Sequence, residues 1–198
     1  MEKLSLNKNW ICYVTGKRET QFATDVPHDA MLLDEKSETS AGGVNTGWIE
    51  AQDYTYERNL HISEKWNGKK LLLEFEGIYR KATVYVNRKK AAYHEYGYTG
   101  FYVDITESVN YGADNEIKVT VVNSDQPNSR WYSGTGIYRP VWLYIFPTEH
   151  ILRDEIRVKT LDYQKKKIAV DVKTTGVGML CTEIFDGEKL IVSKTIQS

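Results

Sequence analysis

Polar and apolar positions alternate with a period of two along most of this chain. Tyr54, Tyr56, Arg58 and Leu60 alternate with Thr55, Glu57, Asn59 and His61. The span 48–62 is therefore predicted to be a strand with one face in a core and one in water. Val141, Leu143 and Ile145 alternate in the same way against Trp142 and Tyr144. Strand character recurs at 4–14, 70–75, 82–86, 90–94, 101–105 and 116–122, with Asn87-Arg88-Lys89 as a turn between two of these runs. No window carries a 3.6-residue apolar period over three turns. About eight short strands rich in tyrosine and valine predict an all-β antiparallel sandwich. Spacing alone leaves the jelly roll and other sandwiches open.

Two stretches break the rhythm. Residues 15–47 are polar and loop-like, with Pro27, Gly42, Gly43 and Gly47. So long an irregular segment inside a domain covers something or carries function. Residues 147–154 read as a boundary, dividing the chain into 1–147 and 148–198. Beyond it, 156–160, 167–174, 179–185 and 190–195 alternate again, with Asp186-Gly187 as a hairpin turn. That is an immunoglobulin-like beginning, with about four strands where such a sandwich needs about seven. Half a sandwich exposes an apolar face and a free edge. It is expected to pack against the first domain or to pair with a second copy by strand addition or swapping, making a dimer.

Composition narrows the classes of partner. The chain has 198 residues, with 26 Lys and Arg against 27 Asp and Glu. A near-neutral field argues against nucleic acid, which selects a basic excess or stripe. No apolar run approaches the ~20 residues of a membrane helix, and MEKLSLNKNW holds no signal-peptide core. Cys12 and Cys181 lie far apart. A disulfide framework is not expected, and a reducing, cytoplasmic setting fits.

The densest signal is NSRWYSGTGIYRPVWLYI at 128–145, a polar opening, a glycine-bearing loop and then a strand. RWYSGTGIYRPVWL at 130–143 resembles the end of the N-terminal sugar-binding domain of glycoside hydrolase family 2, the β-galactosidases, β-glucuronidases and β-mannosidases. VPHDA at 26–30, FEGIYRKATVYVN at 75–87 and HEYGYTGFYVDIT at 94–106 reinforce the resemblance, in the family's order. It covers 1–150 well and the remainder loosely. The resemblance implies a jelly-roll domain resembling galactose-binding domains, then an immunoglobulin-like domain, here truncated, with a catalytic (β/α)₈ barrel as the partner downstream. It also implies retaining hydrolysis of O-glycosidic bonds by two glutamates on that barrel. No residue here is assigned as catalytic, and no cofactor is implied for this part.

The candidate sugar contacts are Arg130, Trp131 and Tyr132, with Glu95, Tyr96 and Tyr98 in the hairpin 94–101. A pyranose presents hydroxyls on its rim and C–H groups on its face, which suit fork-like donors and planar aromatics. The resemblance places both segments towards the barrel mouth, so Arg130 can reach the active-site rim. Each has a plainer reading. Arg130 can fix its loop by a cation–π or salt-bridge contact, Trp131 can be packed, and Glu95 can be a solvated loop charge. The packed reading of Trp131 is the stronger one.

Other signals point to structure. Gly134 and Gly136 lack the third glycine and helix of a dinucleotide site and fit a loop needing positive φ. His28-Asp29 and His94-Glu95 lack further ligands at metal spacing, so no metal site is assigned. Asp104 caps a turn, Lys165-Lys166-Lys167 is a solvated hairpin turn, and Cys12 is a buried small residue. Arg80 and Arg139 are expected to pair with strand-end carboxylates. Three functions remain: an accessory domain of a family 2 β-glycosidase, most like a β-galactosidase; a stand-alone carbohydrate-binding module; and an adhesion fragment, disfavoured by the missing signal sequence and paired cysteines.

Overall fold

The computed structural model describes residues 1–197. The chain divides into two units, Met1–Ile145 and a second beginning at Phe146. Ser198, the end of the predicted span 148–198, lies outside the described residues. Among those residues helical structure is confined to 3₁₀ turns of three or four residues.

The first unit is an antiparallel β-sandwich. One sheet has four strands, β1 (Glu2–Ser5), β5 (Lys70–Phe75), β8 (Phe101–Asp104) and β10 (Val141–Phe146), in the order β1-β10-β5-β8. The other has six, β2 (Trp10–Val14), β3 (Phe22–Thr24), β4 (Tyr54–Ile62), β6 (Ala82–Val86), β7 (Lys89–His94) and β9 (Ala113–Val121), in the order β3-β2-β4-β9-β6-β7. Register builds the core in rows. Tyr54 faces Val121, which faces Ala82; Tyr56 faces Val119, which faces Val84. Side chains opposite each other in a sheet share a face, so these rows meet Leu71, Leu73, Phe75, Leu143 and Ile145 of the other sheet in one buried cluster. Cys12 lies in it, and burial pushes its thiol pKa up to about 12. Cys12 and Cys181 are both free.

Three predicted boundaries move. The span 4–14 is two strands, one in each sheet, separated at Asn9, whose φ is +63°. Asparagine tolerates that region better than most residues, and the turn lets the chain change sheets. The strand predicted from 48 begins at Tyr54. Trp48 sits at φ +65°, outside strand geometry, and Ile49 makes only an isolated bridge with Lys36. Within 15–47 the short β3 pairs with β2, a strand the polar composition conceals. The hairpin β6–β7 and strands β5 and β10 fall where the alternation puts them.

The second unit holds two antiparallel hairpins. β11 (Ile151–Asp162) pairs with β12 (Lys167–Thr174), and β13 (Met179–Asp186) pairs with β14 (Lys189–Gln197). No residue from 147 to 197 is buried. Ile168, Val192 and Ile196 line a hollow of about 370 Å³ and are each some two-fifths or more exposed.

Candidate functional site

From β9 to β10 the chain runs without regular strand, yet polar side chains fix it. Asn123 is fully buried and donates from Nδ2 to the Gly134 carbonyl at 3.0 Å and to Thr135 Oγ1 at 2.6 Å. Asn128 donates to Asn123 Oδ1 at 2.9 Å. Asp29 holds the same loop from the other side. It accepts from Met31 N at 3.1 Å, Tyr132 OH at 2.6 Å and Thr135 N at 2.9 Å. The glycines permit this close approach. Gly134 sits at φ +72°, and a Cβ there would lie 2.7 Å from Asp29 Oδ2; Gly136 sits at φ +128° and exchanges backbone hydrogen bonds with Tyr79.

On this frame Arg130, Trp131 and Tyr132 stand exposed. Trp131 is 61% exposed, so it is not packed in the core of this unit. It lies in a loop outside the two-sheet core. Its Nε1 donates to Tyr98 OH at 3.1 Å, which ties the loop to the hairpin tip. Tyr98 meets Tyr79 edge-on at 5.3 Å and Tyr96 at 5.6 Å. Tyr79 is buried and donates to Asn128 Oδ1 at 3.0 Å, while Tyr138 OH donates to the Gly97 carbonyl at 2.8 Å. The structure thus joins Tyr96, Tyr98 and Trp131 into one aromatic lip. Tyr132 is the lip's anchor, because its hydroxyl is spent on Asp29; burial and that carboxylate raise its pKa. The Arg130 guanidinium has no partner among the described residues. It does not fix the loop by an ion pair or a cation–π contact. Glu95 is exposed, and its carbonyl accepts from Lys81 N at 3.3 Å, while its carboxylate has no partner among the described residues.

The remaining candidates settle into structural roles. Asp104 accepts from Thr106 N at 3.1 Å, the turn cap expected of it, and also meets Lys70. Arg80 pairs with Asp125, as does Lys81. Among the described residues Arg139 does not pair with a carboxylate; its guanidinium lies 5.6 Å from the centre of the Tyr138 ring. His28 bonds Tyr56 OH through Nδ1 at 2.8 Å, and His94 stacks on Phe101 at 4.4 Å. Asp29, Tyr79, Asn123 and Asn128 hold the lip, a role that no motif in the sequence marks. Asp29 binds groups 103 and 106 residues away, a separation that no local pattern reports.

Chemically the lip can bind and orient. Its aromatic planes suit C–H faces and its free guanidinium suits hydroxyl or carboxylate oxygens. Glu95 is its single carboxylate among the described residues, where glycoside hydrolysis uses a pair.

Comparison with known proteins follows the same line. Residues 10–143 match the family described as glycosyl hydrolase 2, galactose-binding domain-like. The chain is 30% identical to β-galactosidase BoGH2A of Bacteroides ovatus over 182 residues, covering 88% of this chain and 21% of that protein. It is 31% identical to a β-glucuronidase of Bacteroides fragilis over 223 aligned residues, covering 98% of this chain and 30% of that protein. The chain therefore spans under a third of these relatives' lengths. Among solved structures, a glycosyl hydrolase family 2 member from Bacteroides cellulosilyticus matches the whole chain with a TM-score of 0.85 at 25% identity, over 28% of its own length. A β-glucuronidase of Bacteroides uniformis has the same fold, with a TM-score of 0.78 at 22% identity over 26% of its length.

Proposed function

The chain belongs to glycoside hydrolase family 2, and on that premise we propose that it is a non-catalytic, sugar-facing module of a retaining β-glycosidase that acts on β-galactosides. Its role is to form one wall of the substrate entrance beside a catalytic barrel in the same polypeptide. One observation carries the reading: an unpaired, exposed Arg130 stands next to an exposed Trp131, on a loop whose backbone is fixed by Asp29 and Asn123. A fixed backbone that presents an exposed aromatic and an unspent guanidinium suits a surface that a ligand is to meet, since part of the entropic cost of ordering it has already been met.

The neutral galactoside is favoured over a glucuronide by the charges of the lip. A uronate carboxylate calls for paired donors in a cationic pocket. Here one arginine is opposed by the free carboxylate of Glu95 on the neighbouring tip. The contact is with substrate in its ground state as much as in the transition state. Trp131→Ala and Arg130→Ala, each made in the protein that carries this module with its barrel, should therefore raise KM about tenfold and leave kcat within about twofold. The measurement is hydrolysis of nitrophenyl β-galactoside, with the β-glucuronide as comparison. Unchanged kcat/KM in both variants would remove the lip from the reading, and faster turnover of the glucuronide would overturn the substrate. The lip is also complete within this chain, which supports a second reading as a stand-alone carbohydrate-binding module. Calorimetric binding of a galactoside by the 198-residue chain, abolished by Trp131→Ala, would favour it.

A further inference from the structure

The segment between β3 and β4 is a built loop with its own internal scaffold. Its neck is closed where Glu50 N donates to the Glu35 carbonyl at 2.9 Å and Ser37 N to the Trp48 carbonyl at 2.8 Å. Within it, Trp48 N donates to the Gly43 carbonyl at 2.8 Å and Ser40 Oγ to the Ile49 carbonyl at 2.7 Å. At its base Asp34 accepts from Gln52 Nε2 at 2.8 Å and from Tyr54 OH at 2.5 Å. Compact loops with close ends and internal packing are frequent carriers of function.

Trp48 is the outlier in this loop. A bulky side chain at φ +65° is strained, and such strain persists only where the surroundings impose it. The residue is 46% exposed. With Lys36, Ser37 and Glu38 it lines a hollow of about 570 Å³. Among the described residues neither Lys36 nor Glu38 makes an ion pair, and the Ser37 hydroxyl is engaged by Thr39 alone, through Oγ1 at 2.8 Å and N at 3.2 Å. An aromatic plane is thus set among an unspent donor, an unspent acceptor and a hydroxyl.

We propose that this hollow is a second carbohydrate site, separate from the lip, that takes one neutral hexopyranose unit. The Trp48 ring covers a C–H face, Lys36 donates to hydroxyl oxygens and Glu38 accepts from hydroxyl protons. The size fits the range of small-ligand sites, and a few polar groups around an aromatic wall are their usual lining. One cation beside one anion leaves no net charge to attract a carboxylate or phosphate, so the neutral sugar is selected. No lip residue lines the hollow, and the site does not depend on the function proposed above.

The test follows the tryptophan indole N–H resonances of the isotopically labelled 198-residue chain. The sugars titrated are methyl β-galactopyranoside, methyl β-glucopyranoside and the methyl β-glucuronide. The Trp48 signal is expected to shift and saturate with a Kd on the order of 1 mM for the neutral glycosides, and at least about fivefold more weakly for the glucuronide. Trp48→Asn keeps a residue that tolerates left-handed backbone and should abolish saturable binding. Trp131→Ala should leave the Trp48 shift unchanged. Should Trp48→Asn lose its circular-dichroism signature of folding, the pair Lys36→Met and Glu38→Gln decides, with an expected tenfold or greater rise in Kd. A Trp48 signal unmoved at about 50 mM sugar, or a shift that survives these changes, overturns the site. Shifts confined to Trp131 would support the lip and refute the hollow.

Discussion

At Gly136 the backbone turns through φ +128° with the Tyr56 hydroxyl and the His28 carbonyl against its Cα. A Cβ added there would lie 3.0 Å from that carbonyl and run into the hydroxyl, both of which are held by the core. Gly136→Ala should therefore destabilise the first unit by about 2–4 kcal/mol, read from denaturant unfolding. A loss under about 0.5 kcal/mol would mean that the loop relaxes freely. His28 supplies a second test at this scale. Burial lowers its imidazole pKa, and the charge of Asp29 opposes that only in part. The folded value lies below the unfolded one of about 6.5, so the unfolded chain takes up the proton first. Stability from this group is present above pH ~6.5 and is lost as pH falls through the folded value. The melting temperature should drop between pH 7 and pH 5, and His28→Gln should shrink that drop. Equal melting temperatures at both pH values in the parent chain would contradict it.

Among the elements, those whose signal is local were legible. The β6–β7 hairpin declares itself by alternation on both sides of Asn87-Arg88, which adopt φ of +49° and +68°. The start of β4 is hidden because Trp48 and Ile49 look like strand residues, and nothing in the identity of Trp48 reveals its left-handed backbone. The composition of the lip was legible too, but not its exposure. The partner that Trp131 meets, Tyr98, lies 33 residues away and leaves no local trace. The hairpins β11–β12 and β13–β14 show what alternation cannot supply by itself. Their apolar faces form but remain uncovered, with Ile156 51% and Val158 65% exposed. Apolar faces and free strand edges of this kind recruit cover. The 198-residue chain is expected to self-associate through them, with sedimentation that becomes dimeric by about 50 µM. Val192→Lys with Ile196→Glu should restore the monomer. A parent chain that stays monomeric throughout would refute the association.

For the molecule as a whole, the two anchors of the lip come from opposite ends of the first unit. Asp29 precedes most of the strands and its partners Tyr132 and Thr135 follow all but β10. Closing a loop of about a hundred residues is entropically expensive and comes late, after nearer contacts have formed. The lip should thus be the last region of this unit to assemble and the first to open. Asp29→Ala is expected to accelerate unfolding about tenfold while leaving the refolding rate within about twofold, as measured by stopped-flow tryptophan fluorescence. On a ribosome the consequence is temporal: β10 lies between β1 and β5 and supplies Leu143 and Ile145 to the core, so a nascent chain can complete neither core nor lip until that last strand has emerged.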